Sequence, residues 1–571
     1  MKKEIFPTLI TPYLSEMDAR MPWNEYPRPS MVRDSFLCLN GAWDFAVCKG
    51  DKIPEYKEKI LVPFPPESLI SGIQAEIPAG SVMHYRRSFS IPEGFNKGRL
   101  ILHFGAVDTI CDAYLNGKHI LRHEGGYLPF SADVSEVIVD GENELYLRVI
   151  DNLSELYPYG KQKRDRGGMW YTPTSGIWQT VWLESVPNGY IEGLRITPSA
   201  TEVKIEVIGG DSEKKLTLLD SGEVFEFSGD EIALTPKEIK LWTPESPYLY
   251  RFSLESGDDR VESYFALREI TTGVVNGIPR LLLNGKPYLF NGLLDQGYFP
   301  DGNLLPATSR GYEDDILTAK KLGFNMLRKH IKIEPEIFYH LCDKLGMVVF
   351  QDMVNNSGYS YIFDTVLPTI GMKRFPDKLL HPNKRSRAIF EQHTYDIFEH
   401  LYNFPSILYY TIFNEGWGQF RADEMYEKVK RVESTRIIDT TSGWFVRSKS
   451  DVDSRHVYFK PVKVEKVPER PLVISEFGGY SYRVDGHLFG SNNYGYSIFE
   501  SQKDFEDAFL GLYSDEIEPL IEKGVCALVY TQISDVEDET NGLITYDRRC
   551  VKLDVDRTNT VMQRLYNIIN R

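Results

Sequence analysis

The feature that most constrains this chain is a change of period near residue 281. From "LLLNGKPYLFNG" to the C-terminus, apolar strand-like runs alternate with helix-like segments. The runs are "PYLFNG", "FNMLRKH", "MVVFQDM", "SILYYTIFNE", "RIIDTTSG", "HVYF", "PLVISEFGG" and "ALVYTQISD". Strands that are apolar throughout and separated by helices pair in parallel, because both of their faces are covered. Eight such units fit a (β/α)8 barrel. The helical pieces carry their own end signals. "EDDILTAKKLG" reads as a short amphipathic helix stopped by Gly323. "EPEIFYHLCDKLG" has Pro335 near its first turn and Gly346 past its end, with Ile337, Phe338, Leu341 and Leu345 on one face.

Before residue 281 the pattern is different. A chain of 571 residues is too long for a single core. From about residue 35 to 186, "GAWDFAV", "MHYRRSFSI", "GRLILHFGAV", "DAYLNGKHI", "NELYLRVI" and "GIWQTVWLESV" alternate with a period of two and are separated by Asn-Gly and Gly-Glu turns. That is the signature of an antiparallel β-sandwich. A second β region, about 188 to 272, has the length of an immunoglobulin-like β-sandwich. Within it "LWTPESPYLY" carries two prolines and reads as an irregular edge or connection. The expected domains are 1–187, 188–273 and 274–571.

Composition excludes several classes. A net charge of −17 argues against nucleic acid and anionic membrane surfaces as partners. The six cysteines, Cys38, Cys48, Cys111, Cys342, Cys526 and Cys550, are scattered without metal spacing, which fits reduced thiols and a cytoplasmic protein. "MKKEIFPTLITPYLSEMDAR" makes a poor export signal, its apolar run being broken by Pro7 and Pro12. No apolar run is long enough for a membrane span.

Two carboxylates end barrel strands. Glu415 ends the fourth, after Asn414, and Glu476 ends the seventh, in "PLVISEFGG". A lone Glu at a strand end is usually structural. Two of them, at the C-terminal ends of strands that face one cleft, are what glycoside hydrolysis needs: one carboxyl to donate a proton, one carboxylate to attack or to activate water. Mutual repulsion and burial can hold their pKa values apart.

With these residues in place the chain resembles glycoside hydrolase family 2, the family of β-galactosidases, β-glucuronidases and β-mannosidases. "LNGAWDF", "YLNGKHI...HEGGYLPFSADV" and "SGIWQTVWLE" resemble its N-terminal sugar-binding jelly-roll sandwich. "LWTPESPYLY" and "FALREI" resemble its immunoglobulin-like domain, and "LGFNMLRKH", "FYHLCDKLGMVV", "NEGWG" and "SEFGG" its catalytic TIM barrel. The resemblance implies a retaining mechanism, with Glu415 as acid/base, Glu476 as nucleophile, Asn414 as ligand of the sugar 2-hydroxyl, and carboxyl groups about 5 Å apart. It also implies that Arg328 orients the nucleophile and that Tyr530 stands where the family often has a Trp under the sugar. Tyr458, eighteen residues before Glu476, is placed to bond it; His330, at a strand end, is a candidate sugar ligand; Trp417 either walls the site or packs.

The glycone is read from departures. Glucuronidases of the family carry Asn-x-Lys before the last "G-I-x-x-x-D-R" stretch. Here "DETNGLITYDRR" has Glu539 and Asn541 in those places. A negative Glu539 should repel a uronate, and the "NGL" form resembles β-galactosidases, where that asparagine contacts the sugar. Other subsite positions differ: Asp295 and Gln296 replace a histidine, and Trp170 replaces an aspartate. The expectation is therefore a β-galactosidase acting on small glycosides. The alternatives are a β-glucuronide or galacturonide, with Lys332 holding the carboxylate, a β-galactofuranoside, an α-L-arabinoside, or a non-catalytic carbohydrate-binding protein. No cofactor or metal is expected. The expected partner is a small carbohydrate, and the family resemblance implies a homo-oligomer.

Overall fold

The structure is a computed structural model that describes residues 9–50, 52–367, 372, 376, 380–443, 445, 449–458, 461–464 and 469–569. The first eight residues of the N-terminal stretch and Phe459 of "HVYF" lie outside the described residues.

The N-terminal part is a sandwich of antiparallel sheets. Six strands run in the order Glu58–Val62, Gly41–Lys49, Ser81–Ser90, Glu142–Ile150, Ile110–Leu115, Lys118–Glu124. Four more run in the order Phe36–Cys38, Val181–Val186, Arg99–Phe104, Phe130–Asp133. Period-two alternation explains the packing: Leu145, Leu147 and Val149 enter the core while Glu142 and Glu144 face out. Asn116-Gly117, both at positive φ, turn Ile110–Leu115 into Lys118–Glu124, as the Asn-Gly dipeptide predicts. A second, smaller sandwich follows. It pairs Ile191–Pro198, Val203–Gly209 and Glu231–Leu234 in one sheet and Val224–Ser228, Glu213–Leu218, Tyr250–Ser256 and Asp259–Phe265 in the other, over its own core. "LWTPESPYLY" forms only isolated bridges before Tyr250, as its prolines require.

Eight parallel strands form the barrel: β1 (Phe290–Asp295), β2 (Met326–Lys329), β3 (Val348–Asp352), β4 (Ile407–Asn414), β5 (Ile437–Ser442), β6 (Asp453–Val457), β7 (Leu472–Gly478) and β8 (Val525–Thr531). Each pairs with its sequence neighbour, and β1 pairs with β8. The exception is the β5–β6 seam, where hydroxyls replace a ladder: Ser442 Oγ is 3.3 Å from Ser454 Oγ, which is 2.7 Å from Ser475 Oγ on β7. Helices α1 (Arg310–Lys321), α2 (Glu336–Leu345), α3 (Lys384–Leu401), α4 (Ala422–Val432), α5 (Gln502–Gly511) and α6 (Val555–Ile569) cover the outside. Among the described residues no helix joins β5 to β6 or β6 to β7. On α2 the buried stripe is Ile337, Phe338, Tyr339 and Cys342, while Leu341 and Leu345 are half-buried. Tyr339 earns that depth because its hydroxyl donates to Gln351 Oε1 at 2.7 Å.

The lower mouth of the barrel is plugged. Ile270, Leu281 and Leu283, from the hairpin that precedes β1, pack with Trp242 against interior residues such as Phe290, Met326, Phe350 and Val473. The C-terminal mouth is left for chemistry. Among the described residues no helix is long and apolar enough to cross a membrane, and all six cysteines are free thiols.

Candidate active site

Strand β4 delivers two polar side chains to one place. In a strand, neighbours point to opposite faces. Asn414 and Glu415 escape that rule because Glu415 has left-handed backbone, φ 55°, and its N–H still donates to Ser442 O at 2.8 Å. The conformation costs a non-glycine residue about 1 kcal/mol. Gly416 continues the turn at φ 79°, and a Cβ there would stand 2.1 Å from the Phe445 ring. "NEGWG" is thus a sharp turn that swings both the amide and the carboxylate over the barrel mouth.

Glu476 arrives from β7 and is fixed from several sides. Arg328 Nη1 donates to its Oε1 at 3.1 Å, and Tyr458 OH donates to its Oε2 at 2.7 Å. Arg328 is itself buried, with Nε on Asp352 Oδ1, Nη1 also on Ser475 O, and Nη2 on Asn414 Oδ1, each at 2.9 Å. Burial pushes the Glu476 carboxyl up. His456 and Arg328 lead the groups, Lys161 among them, that outweigh it and hold the group down at about 2. Glu415 is more open: its side chain is 22% exposed, against 7% for Glu476. Its Oε1 lies 2.8 Å from His456 Nδ1. One oxygen of each carboxylate and His456 Nδ1 all lie within 4.8 Å of one another. The site therefore holds one carboxylate kept ionised in a buried cage and a second, within reach of it, open to solvent. Three such donors could also approach a divalent cation, but the Arg328 guanidinium on Glu476 would repel it.

The other expected residues fall as follows. Asn414 commits Oδ1 to Arg328, which leaves its Nδ2 with no partner among the described residues. His330 follows β2, and its Nδ1 lies 2.6 Å from Asp352 Oδ2. Burial, helped by Lys161, lowers its pKa, so the ring is neutral, Nδ1–H donates to Asp352, and Nε2 is an acceptor. Tyr458 also lies 2.7 Å from Thr531 Oγ1 and stacks on Tyr496 at 4.1 Å between ring centroids. Trp417 is buried in a packing role: Nε1–H donates to Ser357 O at 2.7 Å and the ring abuts Trp170, Tyr359 and Tyr159. Asn541 is fully buried, its Oδ1 accepting from Gln532 Nε2 at 2.9 Å.

Two expectations are corrected. Tyr530 does not lie under a sugar. Along β8, Val529 faces the barrel interior, so Tyr530 faces the helices and packs on Phe509 and Phe477. The next residue, Thr531, is the one that reaches Tyr458. Lys332 is not free for a substrate carboxylate: its Nζ donates to Gly297 O, to Leu304 O at 2.7 Å and to Glu334 Oε1 at 2.8 Å.

Four residues were missed. Asp352 ends β3 just as Asn414 ends β4 one residue before Glu415, so the same strand-end logic applied to it. His456 shares a face with Tyr458 at a spacing of two. Tyr496 and Lys161 come from connections with no periodicity to mark them.

Comparison with known proteins completes the picture. Residues 74–176 match the family described as glycosyl hydrolase 2 galactose-binding domain-like, and residues 275–550 match the glycosyl hydrolases family 2 TIM barrel domain. The chain is 26% identical to a β-galactosidase of Thermoanaerobacter pseudethanolicus over 52% of its own length and 42% of the relative's. It spans about two fifths of the first curated relatives it matches. Among solved structures it resembles an uncultured Clostridium sp. β-glucuronidase, with TM-score 0.73, 20% identity, and 94% of this chain and 98% of that one covered. It also resembles a β-galacturonidase from Eisenbergiella tayi bound to galacturonate, with TM-score 0.67, 19% identity, and 92% and 97% covered.

Proposed function

Because the chain belongs to glycoside hydrolase family 2, we propose that it removes terminal β-linked sugars by the retaining route, with Glu476 as nucleophile and Glu415 as acid/base. In the first step a Glu476 oxygen bonds to the anomeric carbon while the bond to the aglycone oxygen breaks, and that oxygen takes the proton of Glu415. In the second, water attacks the anomeric carbon, gives its proton to Glu415, and the ester to Glu476 breaks. Arg328 and Tyr458 keep Glu476 ionised and aimed. Asn414 offers Nδ2 to the 2-hydroxyl, a contact that strengthens as charge develops on the sugar.

One observation carries the reading: Glu476 is buried and held by Arg328 and Tyr458, with one of its oxygens within 4.8 Å of an oxygen of Glu415. So short a nearest approach fits a retaining pair, whose carboxyl groups stand about 5–5.5 Å apart, better than an inverting pair at about 6.5–9.5 Å. The glycone we assign is galacto-configured. Asn541 stands in the galactosidase-like place, Gln532 Oε1 is buried with no partner among the described residues and can accept from a sugar hydroxyl, and relatives carry the name β-galactosidase.

The test is covalent trapping with an activated 2-deoxy-2-fluoro-β-galactoside, read by peptide mass, beside initial rates on nitrophenyl glycosides. A label on Glu476 and loss of turnover in Glu476→Gln are expected. An inverted product, or unchanged turnover in that variant, overturns the mechanism. Faster turnover of a galactofuranoside or α-L-arabinoside overturns the glycone. Sugar binding without turnover of any glycoside makes the chain a carbohydrate-binding protein.

A further inference from the structure

Among the described residues, three cations of the barrel strands and their loops are spoken for, and a further one comes from another part of the chain. Arg328, Lys329 and Lys332 each donate to a buried carboxylate. Lys161 belongs to the connection between the sandwich strands Glu142–Ile150 and Gly176–Ile177. Its backbone is pinned against the mouth. Tyr159 N and Gly160 N donate to Asn355 O, beyond β3. Gly160 approaches so closely that a Cβ would stand 3.0 Å from Ile331 O, next to His330. Tyr171 N donates to Lys161 O at 2.9 Å, and the Tyr171 hydroxyl donates to Glu539. Lys161 is thus held between His330 and Glu539. It is half-buried, and among the described residues its ammonium has no ion pair. Its charge is nevertheless felt inside the site. It helps hold Glu476 down, lowers His330, and opposes the burial that raises Glu539.

A half-buried lysine whose ammonium has no ion pair among the described residues is a ready partner for an anion. We propose that Lys161 is a specificity residue of the glycone subsite and that the preferred glycone carries a carboxylate, as a hexuronic acid does. This rests on the retaining reading above and, with its galacto configuration, makes the substrate class a β-galacturonide. Glu539 does not forbid such a sugar. Its carboxylate is already engaged by donors from Tyr171 and Gln532. The carboxylate is then recognised by the sandwich rather than by the barrel.

The test compares wild type with Lys161→Met and Lys161→Arg on nitrophenyl β-D-galacturonide and β-D-galactopyranoside, and measures D-galacturonate and D-galactose binding by calorimetry. Wild type should favour the acid. Lys161→Met should lower the acid-to-neutral ratio of kcat/KM by about 10- to 100-fold, mainly through KM, as for loss of a charge-assisted hydrogen bond. Lys161→Arg should restore most of it. A wild-type preference for the neutral sugar, or equal losses on both substrates, overturns the proposal. Trapping on Glu476 without tighter galacturonate binding leaves the mechanism standing and removes the role of Lys161. Galacturonate binding that needs Lys161, with no trapping, does the reverse.

Discussion

At the scale of the residue, the site depends on how Glu476 stays charged while buried. Desolvation alone would push the carboxyl up; here His456 and Arg328 lead the groups that bring it down to about 2. Because its folded pKa is depressed, its charge adds stability that is complete above the ordinary carboxylate value, about 4.3, and is lost as the pH falls toward the folded value. The sign for activity follows. Protonation of Glu476 removes the nucleophile, so any change that weakens the cage moves the acid limb of kcat/KM to higher pH. His456→Gln removes the imidazole 3.5 Å from Glu476 and 2.8 Å from Glu415. We expect that limb to rise by about one unit or more, and a pH profile checks it. Tyr458→Phe keeps the ring stacked on Tyr496 and removes one donor to Glu476. A fall in kcat of about 10²-fold is expected, by analogy with the loss of one oriented donor at a charged centre, and steady-state rates decide it.

At the scale of the element, the β4 turn is the least tolerant piece. Gly416 combines φ 79° with contact on Phe445, so Gly416→Ala meets both a strained backbone and a clash. A loss of about 1–3 kcal/mol is expected, seen as a lowered Tm with kcat reduced because Glu415 tilts. No fall in Tm would show that the turn relaxes around a methyl group. The barrel strands themselves were legible. Apolar runs bounded by Gly and Pro place β1 to β8 correctly in number and order, and strand-end logic finds Glu415 and Glu476. Tyr530 shows where that reading stops. Resemblance put it at the floor of the site, yet alternation along β8 turns it outward, one residue short of Thr531. A one-residue slip in a strand exchanges faces.

At the scale of the whole molecule, the sandwich is part of the cleft. Trp170 packs edge-on against Trp417 at 5.2 Å, and Tyr171 reaches Glu539. These contacts join residues far apart in sequence, so the two tryptophans should behave as a unit. In a double-mutant cycle on kcat/KM, Trp170→Ala and Trp417→Ala should couple by about 0.5–1.5 kcal/mol. Simple additivity would mean that the interface does not position the β4 turn.

By itself the sequence determined the layered architecture, the strand count and the carboxylate pair. Each of these is written locally, in periodicity, turn residues and strand ends, and local signals need no partner to be read. What only the tertiary structure decided is how charge is distributed at the mouth. Lys332, which local reading offers as a carboxylate ligand, is consumed by Glu334 and two carbonyls. Lys161, which carries no local signal at all, is brought beside His330 and Glu539 by a loop from another domain. A charge acts through space and is quenched by whatever the fold sets next to it, so its availability cannot be read along the chain.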